Sequence, residues 1–246
     1  MQKIMRIIFI FICVLSTLGP LCAISEDYLL PKNHSIQKTL PSLFKDPNMF
    51  DSTDHWRAAG FNVLNRANRG LMVARHPSIP NFLFKKFQNH ISNSEQTDNY
   101  LRRITGAEKL GQFIRRNQLK NIIVPRKWLY QLPKKFDKGG KSYILIVEEI
   151  DICGGERDPG GEIAHRYARI DYEILKELCL VVYHFRGLDS VLLNMPFTYH
   201  GKIAFIDTER WKRKREGYLK YVMPYLSEEK KRYALAIFND LEEKNR

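Results

Sequence analysis

Apolar residues fall first at strand spacing along this chain and later at helical spacing. Three short apolar runs, 61–64 (FNVL), 71–74 (LMVA) and 81–87 (NFLFKKF), are separated by polar turns at 65–70 and 76–80. Runs of this length bounded by Gly, Asn and Pro read as strands joined in hairpins. Over 97–116, Leu101, Ile104, Leu110, Phe113 and Ile114 recur at helical spacing among charged residues. They predict a helix, which Gly106 and Gly111 weaken. Shorter strand-like segments follow at 121–124 and 128–132, and 143–150 (YILIVEEI) is the strongest strand signal in the chain. The stretch 154–161 (GGERDPGG) then places four glycines and a proline within eight residues, a natural hinge. Beyond it, 163–185 reads as one long amphipathic helix, and 191–193 with 202–206 as a hairpin around Thr198-Tyr199-His200-Gly201. Helices over 213–225 and 227–244 close the pattern.

Strands followed by helices predict an α+β chain with two lobes, a small β-rich one over 54–153 and a minimal helical one over 154–246. Residues 24–53, rich in Pro, Ser, Asn and Asp, read as a linker with at most a short helix. The first 23 residues differ from all of this: Lys3 and Arg6 precede the apolar run 7–21, and Leu21-Cys22-Ala23 offers a small residue at a cut. That order predicts a secretory signal peptide. The run is short of the roughly 20 residues needed to cross a bilayer, so a secreted or periplasmic protein with no membrane span after cleavage is expected.

Composition changes this picture little. A hydrophobic fraction of 44% supports a packed core, and the net charge of +13 would attract an anionic partner. The basic residues are dispersed apart from Lys212 to Arg215 (KRKR), and no nucleic-acid-binding motif accompanies them, so no specific nucleic-acid partner is expected. Cys153 and Cys179, the two cysteines outside the export segment, show no metal-ligand spacing; a bridge between them stays open. The histidines form neither H-x-x-x-H nor H-E-x-x-H, and Ser190 is not in a G-x-S-x-G elbow, which speaks against a zinc or serine hydrolase.

Candidate chemistry concentrates in 184–211 (HFRGLDSVLLNMPFTYHGKIAFIDTERW). Asp189 is followed at +5 by Asn194 and at +18 by Asp207, which ends the apolar strand 203–206. This stretch resembles the protein-kinase superfamily, where a loop Asp precedes an Asn at +5 and a hairpin delivers a second Asp. With Thr208-Glu209 after Asp207, it looks more like the aminoglycoside and choline kinase branch than like Asp-Phe-Gly kinases.

The resemblance implies ATP and Mg2+ as cofactors, with Asp189 as catalytic base and Asn194 and Asp207 on the metal. It also implies a third-strand lysine on the phosphates and a helix glutamate that orients it. Lys85 ends Phe82-Leu83-Phe84 on the third strand, and alternation would send its neighbour Lys86 to the other face. Glu108 lies in the following helix, with Glu95 as its competitor. The segment Glu148-Glu149-Ile150 falls where the family's hinge meets adenine, so Glu148 and Ile150 are expected cofactor contacts. The likeness covers roughly 61–239, and only 189–207 is motif-grade. Gly187-Leu188 replaces the His-Arg or His-Gly pair expected before the loop Asp, no G-x-G-x-x-G precedes Lys85, and no Ala-Pro-Glu follows. Asn65-Arg66-Ala67-Asn68-Arg69 would have to cover the phosphates. Three readings follow: a phosphotransferase acting on a protein or small-molecule hydroxyl, an exported pseudokinase that binds without turnover, and a basic exported binding protein of another fold.

Overall fold

The computed structural model describes residues 24–64, 70–88, 90–137, 140–154, 161–186, 188, 191–210 and 219–245. The expected signal peptide, the phosphate-covering turn 65–69, most of the glycine break (155–160), Lys212 to Arg215 and Asp189 itself lie outside them.

The chain is a mixed α/β protein built on an antiparallel sheet. Its strands are β1 (Asn62–Val63), β2 (Leu71–His76), β3 (Ile79–Phe87), β5 (Lys127–Gln131) and β6 (Tyr143–Glu148), arranged β1-β2-β3-β6-β5. A second, two-stranded sheet joins β4 (Ile122–Ile123) to β7 (Ile203–Ala204). Because strand side chains alternate, each long strand contributes to two cores. Met72, Ala74, Phe84, Trp128, Ile144 and Ile146 line one face; Phe87, Leu129, Tyr143, Leu145 and Val147 line the other.

The first face is covered by 30–61, and Ile24, Tyr28 and Leu29 pack on the second, which corrects the linker expectation. Leu40, Phe44, Met49, Phe50 and Trp56 in this segment are essentially inaccessible. Each such side chain contributes about 1.5–3 kcal/mol on burial. Phe44 alone meets the rings of Phe50, Phe61, Phe84 and Tyr130 at 5.7–6.3 Å. Short helices α1 (Leu40–Leu43) and α2 (Thr53–Ala58) and single 3-10 turns carry these residues. No element is long enough to show a period, so composition looked like a linker while the tertiary surroundings made it core.

The second face is covered by α3 (Asn93–Arg116). It starts four residues before the sequence expectation because the Ser92 side chain caps it, accepting from the Glu95 N–H at 3.2 Å. Tyr100 and Ile104 pack on the sheet, and the Tyr100 hydroxyl accepts from the Phe87 N–H at 3.0 Å.

A third core gathers α4 (Glu162–Ala168), α5 (Tyr172–His184), α6 (Glu228–Glu243) and the surroundings of β7 against Leu110 and Ile122. The single helix expected over 163–185 is two helices, broken where Asp171 turns extended (φ −70°, ψ 151°). Both halves bury their apolar stripes in the same core, so the break leaves no mark in the periodicity. The expected strand at 191–193 is instead a 3-10 turn, Leu192–Asn194, and β7 takes its partner from β4 in parallel. An antiparallel bridge between Phe197 and Ile203 closes the hairpin. In place of a helix up to Tyr225, 219–225 is a turn ending in the 3-10 helix Met223–Tyr225. Cys153 and Cys179 are both buried and free. No described helix is long and apolar enough to cross a membrane.

Candidate functional site

The candidate site forms where α3, β3, β5 and the segment after β7 meet. Lys85 lies opposite Val73 and Leu145 in the sheet register, and alternation puts it on the face that α3 covers. Lys127 opens β5 opposite Val147, in phase with Leu129 on that same face. Two N–H bonds deliver the segment after β7: Phe205 donates to the Ile123 carbonyl at 2.9 Å and Ile206 to the Asn194 carbonyl at 3.1 Å. Asn194, half-buried in its 3-10 turn, is thereby tied through its carbonyl to the residue before Asp207.

Arg103 is the centre of the arrangement. It occupies the inward stripe of α3 with Gln96, Tyr100, Ala107 and Leu110. Its side chain is only 7% exposed, and its Nη1 donates to Asp207 Oδ1 at 2.9 Å while Nη2 donates to Glu209 Oε2 at 2.7 Å. The Glu209 N–H adds a second donor to Asp207 Oδ1, at 3.1 Å. Between these acids, the Thr208 hydroxyl donates to the Arg103 carbonyl at 2.6 Å and accepts from Lys127 Nζ at 2.8 Å. Lys127 Nζ also reaches the Ile206 carbonyl at 3.2 Å. Residues 206–209 are thus laced to α3 and β5 on both sides.

Burial would raise the Asp207 carboxyl, but Arg103, Lys85, Lys127 and the Glu209 N–H hold it well below the usual carboxylate range. Burial pushes the Lys127 amine well below its ordinary value; Lys85 and Arg103 add to this and Asp207 opposes it. Lys85 and Asp207 therefore share one electrostatic neighbourhood across 122 residues of sequence. Lys86 faces away, 1% exposed, with its Nζ donating to Gln96 Oε1 and lying 5.6 Å from the Phe50 ring centre.

The hinge residues lie at the end of β6. The Glu148 carboxylate accepts from the Arg126 N–H at 3.0 Å and from Arg126 Nε at 2.8 Å, so its side chain ties β6 to β5. The Glu149 N–H donates to the Asn81 carbonyl at 2.9 Å, and its carboxylate pairs with Arg75. Ile150 follows, half-buried, just past the sheet.

Glu108 does not join the site, which corrects its expected pairing with Lys85. Five residues beyond Arg103 is about 140° around a helix, so Glu108 falls on the exposed side of α3. Its carboxyl is pushed up by partial burial and by Asp27. The inward charged position of the helix is held by a base instead of an acid. Sequence reasoning looked for a glutamate there and passed over Arg103, although a charged residue between Tyr100 and Ala107 in an apolar stripe was a readable signal. Lys127 and Thr208 carried none.

Among the described residues, no three His, Cys, Asp or Glu side chains gather as a metal cluster. The donor set that the kinase resemblance implies for Mg2+, Asp207 with Asn194, does not by itself make a resident cation site. Mg2+ needs carboxylate charge at close range. Here Asp207 Oδ1 already accepts twice, and three basic side chains stand against two acidic ones. At about 4 Å and an effective dielectric near 20, each added unit of positive charge beside the guanidinium is repelled by about 4 kcal/mol. What the cluster suits is an anion. Arg103 Nε, buried and without a partner among the described residues, is a spare donor in it. Compared with models of protein families and with curated sequences, the chain matches no family model and no curated protein.

Proposed function

We propose that this is an exported protein of two-lobed, kinase-like architecture that binds a nucleoside triphosphate in the cleft between the sheet and the helical half, with the phosphates toward Lys85. The carrying observation is the convergence of Lys85 and Asp207, brought together from the third strand and from the end of β7. The order β1-β2-β3-β6-β5, with a long helix inserted after β3, supports the same reading, as does the backbone bond that ties Asn194 to the residue before Asp207. The adenine would lie along 148–150. The test is thermal denaturation of the mature protein with millimolar ATP. At 100 times Kd, a ligand stabilises by about 2.7 kcal/mol, a shift of a few degrees. Lys85→Ala should remove most of it, and no shift with ATP in either the presence or the absence of Mg2+ would sink the proposal.

A second reading, transfer of the γ-phosphate from MgATP to a protein or small-molecule hydroxyl, is favoured by one observation: Asp207 stays ionised next to a residue, Ile206, whose N–H is bonded to the Asn194 carbonyl. In that reading the cation arrives with the nucleotide as substrate, and Asp189, outside the described residues, receives the acceptor's proton. ADP release that requires a hydroxyl acceptor and disappears in Asp189→Asn separates transfer from binding alone. The export part rests on residues 1–23, and the mass of the protein recovered outside the cell tests it.

A further inference from the structure

In the motif that this chain resembles, the carboxylate after the hairpin strand is free to meet a metal that neutralises the triphosphate. Here Arg103 is bonded to it, and Glu209 is drawn into the same guanidinium. The helix that would supply an acid supplies the strongest base of the site. Lys127 stands behind, held by Thr208, and Lys85 enters from β3. Arg103 and Lys85 stand against Asp207 and Glu209 before any ligand enters, Lys127 is pushed toward its neutral form by burial, and Arg102 adds a further charge 3.8 Å from Glu209. We infer that Arg103, with Lys85 and Arg102, takes over the charge compensation usually left to a divalent cation, so that the cleft binds the nucleoside triphosphate as the free anion.

Three features support this. Arginine keeps its charge when buried, whereas a lysine gives it up, so Arg103 can serve as a permanent counter-ion. Its planar fork fits two oxygens at once, and both arms already hold oxyanions in that geometry. Its Nε is buried and unpartnered among the described residues, so the fold itself leaves one donor of the guanidinium unsatisfied. Arg103 is a positioning residue for Asp207 and, in this proposal, also part of the anion's field.

The inference rests on nucleotide binding, and the experiment separates the two. ATP is titrated calorimetrically into the mature protein, once with excess EDTA and once with Mg2+. The inference expects the two Kd values to agree within about threefold, the spread that small electrostatic differences produce. Binding that appears only with Mg2+ overturns the inference and leaves the nucleotide reading standing. No binding in either condition overturns both. Arg103→Met should weaken metal-free ATP on the order of tenfold or more, with Mg2+ recovering most of the loss, and unchanged metal-free affinity would also overturn the inference. Arg103→Lys, which loses the fork and gives up its charge when buried, should weaken metal-free ATP by a similar factor, and full retention would overturn the inference; thermal denaturation of each variant without ligand controls for damage to the fold. If Arg103→Met does not fold, the EDTA and Mg2+ comparison on the unaltered protein still decides.

Discussion

Lys85 and Lys86 are consecutive on β3, and strand alternation sends them to opposite faces of the sheet. On the face sealed by 30–61, Lys86 is enclosed by aromatic and aliphatic side chains with a carboxamide, Gln96, as its bonded partner. Burial alone lowers its amine to about 7. On the α3 face, Arg103, Lys85, Lys127 and Arg102 meet two carboxylates; burial lowers the Lys127 amine there too, but Asp207 is held ionised far down the pH scale. One face was built by excluding water and the other by gathering charge. The contrast teaches that a buried cation becomes a site only where acids and an accessible edge accompany it. Asp207 keeps 32% of its side chain exposed, whereas Lys86 keeps almost nothing.

The comparison can be broken most severely from the sealed face. Phe44→Ala should cost about 3–5 kcal/mol in urea denaturation, because four aromatic neighbours cannot close the gap. A cost below about 1 kcal/mol would return 24–53 to a linker. On the charged face, Asp207→Ala should cost about 3 kcal/mol by leaving Arg103 with Glu209 alone and Lys127 without its attracting charge. Since the Asp207 pKa is depressed in the fold, its contribution is present above the unfolded value of about 3.9 and is lost as pH falls below it. The acid limb of the stability profile should therefore flatten in the variant.

Lys86 gives the opposite signature. Its folded pKa near 7 lies below the unfolded value of about 10.4, so between the two the unfolded chain binds more protons and stability rises with pH. Lys86→Met should remove that rise, on the order of 4 kcal/mol, and stabilise the protein at neutral pH and below. A variant whose profile between pH 7 and 10 matches the parent would show that Lys86 is solvated in the fold. The smallest effect is expected from Glu108→Ala, within about 0.5 kcal/mol in stability and without change in ATP affinity, since Glu108 faces away from Arg103. A tenfold loss of ATP affinity there would restore Glu108 to the site.

The sequence by itself determined the parts that obey a local rule. The hairpins, the strands around β3 and β6, most of α3, and Lys85 and Lys86 on opposite faces all follow from alternation and turn chemistry. The turn around 198–201 was legible because both its arms, bridged at Phe197 and Ile203, lie within a few residues of each other. Tertiary structure decided the rest, for the reason that its causes act between distant residues. It turned 24–53 from linker into core, broke 163–185 where periodicity continues, and paired β7 with β4. It also chose Arg103 over Glu108 as the inward charge of α3, a matter of helix phase against a segment that begins about 100 residues later. Whether a charged side chain is a solvated ornament or the centre of a site depends on what is folded against it, and no local pattern of Arg103 contains Asp207.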